Sequence, residues 1–297
     1  MERKTAADFH PEVLRWFDRY AHGEVDRRGF LQGIARYAVG GVSATMLLES
    51  LTPRFAQAQQ VAAGDSRISG KYVEFPSPEG SGTLRAYLVG PAGASGKLPG
   101  IVVVHENRGL NPHIEDIARR LALEKFLVLA PDALTPLGGY PGDEDKAREL
   151  FAKLDPAKVR NDFVAAVHYL SGLPEVGKVG VVGFCFGGGV ANALATRLPE
   201  LAATVTYYGV APSPTDAARI KAPLLLHYAE NDERVNATRP AYEVALKQAG
   251  VSYQVYLYPG VQHAFSNDTT PRYDEAAAKL AWTRTLEFLN KNLRGQG

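Results

Sequence analysis

The sequence predicts an α/β protein: a mostly parallel central sheet with helices on both faces. Three observations carry this. From Tyr72 onward, short strand-like runs alternate with helical segments, the order that builds parallel sheets. Residues 100–104 form a continuous apolar run without polar alternation, as expected of a strand covered on both sides. An apolar run at 179–182 leads through a glycine-flanked turn into a helix start of small residues.

The elements follow in chain order. Residues 72–75 and 84–89 read as two strands of a hairpin, separated by the turn-rich Pro78-Glu79-Gly80-Ser81-Gly82. After the apolar strand at 100–104, a helix is expected over 114–123 and a strand over 126–130. A glycine-rich loop spans 131–142, and helices follow at 143–154 and 158–170. Beyond the run at 179–182 come strands at 203–208, 224–227 and 252–257, with helices at 239–249 and 275–289. In such sheets, sites form beyond the carboxyl ends of the strands.

Composition narrows the function. A net charge of +1 and a 22% charged fraction are ordinary for a globular chain, so neither nucleic acid nor an anionic membrane is an expected partner. One cysteine in 297 residues allows no internal disulfide and no cysteine metal cage. No apolar run is long enough for a membrane span. Neither a cofactor nor a metal is expected.

Residues 1–60 differ from the rest, and the α/β domain is expected over 61–297. Asp26-Arg27-Arg28-Gly29-Phe30-Leu31 resembles a twin-arginine export motif, followed by a weakly apolar stretch at 37–48 and the small-x-small Ala56-Gln57-Ala58. That reading makes the protein periplasmic; the alternative is cytoplasmic, with the segment a folded arm. Residues 6–20 form an amphipathic helix pattern carrying Phe9, Val13, Leu14, Trp16 and Phe17. Such an arm would pack on its own domain or join two copies as a homodimer.

The chemistry centres on Cys185 in Gly183-Phe184-Cys185-Phe186-Gly187. This is the strand–turn–helix of a nucleophile elbow, with sulfur where the G-x-S-x-G form has a hydroxyl. A thiol nucleophile needs a base, and the base needs an orienting group. Asp232 follows the strand at 224–227, with Glu230 as its local rival, and His263 follows the Pro259-Gly260 turn after the last strand. His10, His22, His113 and His168 are less well placed, and His227 reads as strand core. His105-Glu106-Asn107-Arg108-Gly109 ends the strand at 100–104 and supplies backbone N–H groups for an oxyanion, together with Phe186.

These residues, with Ala130-Pro131-Asp132 and Gly260-x-x-His263-x-Phe265, together resemble the dienelactone hydrolase family. The resemblance runs from about Tyr72 to the C-terminus. It implies an α/β-hydrolase fold and hydrolysis of a small ester or lactone. It also implies a Cys185–His263–Asp232 triad with an acyl-enzyme on Cys185 that is released by water activated by His263. Glu106 would hold the resting thiol, and the N–H groups of Asn107 and Phe186 would bind the oxyanion. Arg108, Tyr140, Phe265 and Arg272 are the expected substrate contacts. One departure matters: the arginine expected four residues after the catalytic histidine is Asn267, and the loop after Asp132 carries none. A neutral ester or lactone with an apolar acyl part is therefore expected over a carboxylate. The competing reading is a non-hydrolytic ligand-binding or redox-sensing protein built around an oxidisable thiol.

Overall fold

The computed structural model describes residues 4–294. Eight strands form one sheet: β1 (Ile68–Ser77), β2 (Gly82–Pro91), β3 (Leu98–Val104), β4 (Leu127–Pro131), β5 (Val176–Phe184), β6 (Ala203–Tyr207), β7 (Leu224–Asn231) and β8 (Tyr253–Gln262). Their order is β1-β2-β4-β3-β5-β6-β7-β8. The hairpin β1–β2 is antiparallel, and β2 joins β4 antiparallel. From β4 to β8 every pairing is parallel. This is the mostly parallel sheet that the strand–helix alternation predicts, in the α/β-hydrolase arrangement that the family resemblance implies.

The helices are α1 (Pro11–Ala21), α2 (Arg27–Ile34), α3 (Ala44–Leu51), α4 (Phe55–Ala58), α5 (Pro112–Leu123), α6 (Glu144–Phe151), α7 (Pro156–Ser171), α8 (Phe186–Arg197), α9 (Pro214–Ala217), α10 (Glu233–Asn236), α11 (Arg239–Gln248) and α12 (Glu275–Leu293). One apolar cluster unites Ile101, Val103 and Val182 with α5 and α12. A second, on the other face, joins Val102, Val104 and Val181 to α7 and α8. Consecutive residues of β3 thus point into opposite cores, which is why its sequence reads as unbroken valine and isoleucine.

The first four helices form an arm with an apolar cluster of its own. Phe30, Ile34 and Leu51 are fully buried in it. Asp26 caps α2 by accepting from the Gly29 N–H at 2.7 Å. The Arg27-Arg28-Gly29-Phe30-Leu31 stretch is therefore a packed helix here. The apolar stretch at 37–48 is not one continuous helix: Gly40 and Gly41 take positive φ, and α3 starts at Ala44. Among the described residues, no helix is long and apolar enough to cross a membrane.

The arm packs on its own domain. The Arg54 N–H donates to the Thr269 carbonyl at 2.9 Å. Arg27 pairs with Asp145 at 2.8 Å, and Arg272 with Asp18 at 3.2 Å. The Asn107 amide and Arg108 guanidinium both donate to the Ala21 carbonyl, at 2.7 and 3.2 Å. These bonds set the C-terminal end of α1 over the carboxyl ends of the parallel strands.

The turn after β5 leaves no room for side chains beside the sulfur. A Cβ on Gly183 would lie 2.0 Å from the Gly187 carbonyl oxygen, and one on Gly187 would lie 2.2 Å from the Val104 oxygen. Backbone atoms cannot step aside as a flexible side chain can. Gly187→Ala is expected to cost about 3 kcal/mol or more, seen as a Tm lowered by roughly 6–12 °C; an unchanged melt would contradict the close approach.

Candidate active site

Cys185 stands between β5 and α8 with φ +54° and ψ −113°, a conformation that a residue with a side chain rarely adopts. Its N–H donates to the Tyr207 carbonyl at 3.0 Å, and its own carbonyl accepts from Gly189 at 3.2 Å. The sulfur therefore projects from the start of α8, where the helix dipole favours an anion. Phe186 is the first residue of that helix, so its N–H has no partner within the helix.

The other sequence-expected residues sit at neighbouring strand ends. Asp232 follows β7 and His263 follows β8, where the two strands shift register between Ala229 and Asn231. His263 Nε2 lies 3.1 Å from Cys185 Sγ, and His263 Nδ1 lies 2.5 Å from Asp232 Oδ2. Both histidine and aspartate are buried. Glu230, the rival carboxylate, instead accepts from the Gly260 N–H at 2.7 Å and is exposed. His227 is fully buried in the core, against Tyr258 and Thr285. Burial holds its proton affinity far down, to about 3.

Glu106 follows β3 and lines the cavity above the sulfur. Its carboxylate accepts from the Asn267 amide at 2.7 Å. The hydrogen-bonding partners of the sulfur are two imidazoles, His263 and His22. Arg108, Tyr140 and Arg272 also line this cavity. Phe265 does not: it is fully buried beneath the His263 loop, against Tyr208 and Tyr258. The short turn after His263 carries Ala264 at φ +65°, and that turn folds Phe265 back into the core instead of the site.

His22 corrects the expectation most. The arm carries it to the sulfur, with Nε2 3.5 Å from Sγ and its ring edge-on to His263 at 4.9 Å. It caps the C-terminus of α1, where the dipole favours a cation. Its Nδ1 donates to the Asp18 carbonyl at 2.8 Å and lies 3.4 Å from the Asp18 carboxylate. An Arg234 N–H donates to Nε2 at 2.9 Å. The signal in the sequence was Asp18 and His22 four apart on one helical face, a pair that can meet. Nothing local announces that this helix reaches the elbow. Tyr208, also unforeseen, lies against His263 with ring centroids 4.8 Å apart and is held by Ser266 at 2.8 Å.

The charges reinforce one another. Burial alone would push the Cys185 thiol up, but the charge on His263, then His22, outweighs it and brings the thiol down to about 6. Burial would lower His263; the thiolate charge and the Asp232 hydrogen bond overcome it and raise it to about 10. Burial likewise opposes a charged His22, and Asp18 and the sulfur raise it to about 9. Arg234 works against that protonation, because a guanidinium can only donate to a ring nitrogen that keeps its lone pair. His22, Cys185 and His263 bring three potential ligand atoms within 4.8 Å of one another.

Two cavities meet at the sulfur. The first, about 440 Å³, lies under the arm and includes Arg27, Arg108 and Arg272. Each faces a carboxylate: Asp145 at 2.8 Å, Glu144 at 3.8 Å and Asp18 at 3.2 Å. The second, about 370 Å³, has apolar walls from Phe151, Phe186, Val190 and Val210, and Arg160 and Arg234 also line it.

Comparison with known proteins locates these features. A family model described as "Dienelactone hydrolase family" matches residues 84–293, and one described as "YqhI-like" matches residues 1–39. A "Putative hydrolase fragment YghX" of Escherichia coli is 53% identical over 115 residues, 39% of this chain and 98% of its own. A "Putative carboxymethylenebutenolidase" of Saccharolobus solfataricus is 32% identical, covering 70% of this chain and 94% of its own. The solved structure of a "Putative Dienelactone Hydrolase" from Klebsiella pneumoniae superposes with a TM-score of 0.65 at 28% identity, over 75% of this chain and 99% of its own. The dienelactone hydrolase match begins after the arm, so His22 lies outside it.

With the thiol poised near 6, alkylation of Cys185 by iodoacetamide should be flat from about pH 7 to 9. It should fall about tenfold per unit below pH 6, as the thiolate takes up its proton. A rate that rises only above pH 8 would mean an ordinary thiol.

Proposed function

This chain belongs to the dienelactone hydrolase family of carboxylic ester hydrolases, and on that premise we propose that it cleaves a neutral ester or lactone by nucleophilic attack of Cys185. The observation that carries the reading is the chain of contacts Asp232–His263–Cys185, at 2.5 and 3.1 Å, beyond the ends of parallel strands. The thiolate adds to the carbonyl carbon. The oxyanion forms beside the N–H groups of Phe186 and Asn107. The tetrahedral adduct collapses as protonated His263 gives its Nε2 proton to the departing alkoxide, leaving a thioester on Cys185. Water then attacks that thioester, the acid departs, and the thiolate is restored. Asp232 keeps the His263 ring oriented and stabilises its charged form, as in other triads.

Two features support an uncharged substrate. The three arginines of the larger cavity are each matched by a carboxylate, and Asn267, where the resemblance expects an arginine, donates to Glu106. A substrate carboxylate there would compete with bound acids for its partner. The smaller cavity, with aromatic and valine walls, fits an apolar acyl group or ring.

A panel of nitrophenyl and lactone substrates tests both parts. Cys185→Ala and His263→Ala should each lower kcat/KM by at least about 10³-fold. Uncharged butyryl and hexanoyl esters should outrun analogues bearing an acyl-chain carboxylate. Wild-type turnover by Cys185→Ala would end the cysteine mechanism, and faster cleavage of the carboxylate series would end the neutral-substrate assignment.

A further inference from the structure

The triad accounts for one imidazole at the sulfur, and the structure holds two. His22 repeats the geometry of His263: Nε2 toward the sulfur and Nδ1 toward an aspartate. It comes from the arm, at the end of α1, and is pinned there by Asp18, which is itself pinned by Arg272. Unlike His263, it lines both cavities. Its side chain keeps 14% of its surface exposed, whereas that of His263 keeps 5%.

We infer that His22, oriented by Asp18, is a second catalytic imidazole, the base that takes the proton from the water releasing the acyl group. The inference rests on the cysteine-ester reading above and divides its two half-reactions between two histidines. His263 serves the first, as the partner of the thiolate and the acid for the leaving group. His22 serves the second. Its Nδ1–H donates to the Asp18 main-chain carbonyl, and the exposed Arg234 donates toward Nε2. Beside the resting thiolate the ring favours its proton, but once the sulfur carries the acyl group that negative charge is gone and Nε2 is free to keep its lone pair. A water in place of that guanidinium would stand beside the thioester sulfur, at the junction of the two cavities. Its proton passes to His22 Nε2, its hydroxide oxygen bonds to the acyl carbon, and the C–S bond breaks with its electron pair returning to sulfur. The protonated His22 then faces a thiolate again, and its proton passes to His263 or to solvent before the next cycle. Asp18 is a positioning residue in this scheme: it orients the ring and favours its charged form.

The test separates the half-reactions. Stopped-flow hydrolysis of nitrophenyl butyrate by the full chain with His22→Gln should still show a burst of nitrophenol of full amplitude, its rate lowered only as far as the iodoacetamide rate of the same variant falls, since His22 also favours the thiolate. The steady phase after it should be slower by about 10²-fold, with the butyryl adduct on Cys185 seen as added mass. Free imidazole should restore part of the lost rate, which a merely structural role of His22 would not allow. Asp18→Asn should shift in the same direction by less; His22→Gln should keep the wild-type Tm, while Asp18→Asn, which loses the Arg272 ion pair, should lower it slightly. A His22→Gln enzyme that deacylates at the wild-type rate overturns the assignment. So does one in which burst and steady phases fall together without imidazole rescue. Failure of the underlying reading looks different: Cys185→Ala would then turn over ester, and no adduct would form in any variant.

Discussion

The backbone of Cys185 is held at φ +54° between a strand and a helix, and the site is built around keeping it there. The turn is strained for any residue with a Cβ. It persists because flanking glycines let the helix start press against β3 and the backbone after β6, and because the bond to Tyr207 ties the elbow to the neighbouring strand. The reward is position. The sulfur emerges at the head of a helix, at the level where β7 and β8 release Asp232 and His263. A relaxed turn would swing the sulfur away from both, and no side chain in the site could compensate.

Much of this was legible in the sequence. The unbroken valines of β3, the glycine-flanked cysteine and the order Cys185, Asp232, His263 each reflect a local requirement: a doubly covered strand, a tight turn, or a residue just past a strand end. Legibility failed where position depends on packing over distance. His22 looked unremarkable because nothing near it in the chain shows that α1 docks over the elbow 163 residues later. Phe265 failed for the opposite reason. It stands two residues after His263, yet the positive-φ turn at Ala264 sends it into the core. Of the arginines that line the cavity, Arg108 and Arg272 were visible as candidate contacts while Arg27 read as part of an export motif, and their neutralising partners, drawn from the arm and from α6, were not visible.

The arrangement at the sulfur also shows how five ionisable groups settle one another. Removing a thiol, two imidazoles and two carboxylates from solvent would be costly if each were charged alone. Here negative and positive groups alternate from Asp232 through His263, Cys185 and His22 to Asp18. Each charge is thereby offset by the next, and the low-dielectric setting strengthens the attraction between neighbours.

The arm buries its own apolar residues in a separate cluster, while its seam with the domain is made largely of ion pairs, carbonyl contacts and guanidinium–ring stacking. Parting that seam would wet charges instead of grease. Dissolved ions, which screen such pairs, therefore bear on how firmly the arm rests more than its own apolar cluster does. Because His22 rides on that arm, whatever holds the seam also holds the second imidazole at the sulfur.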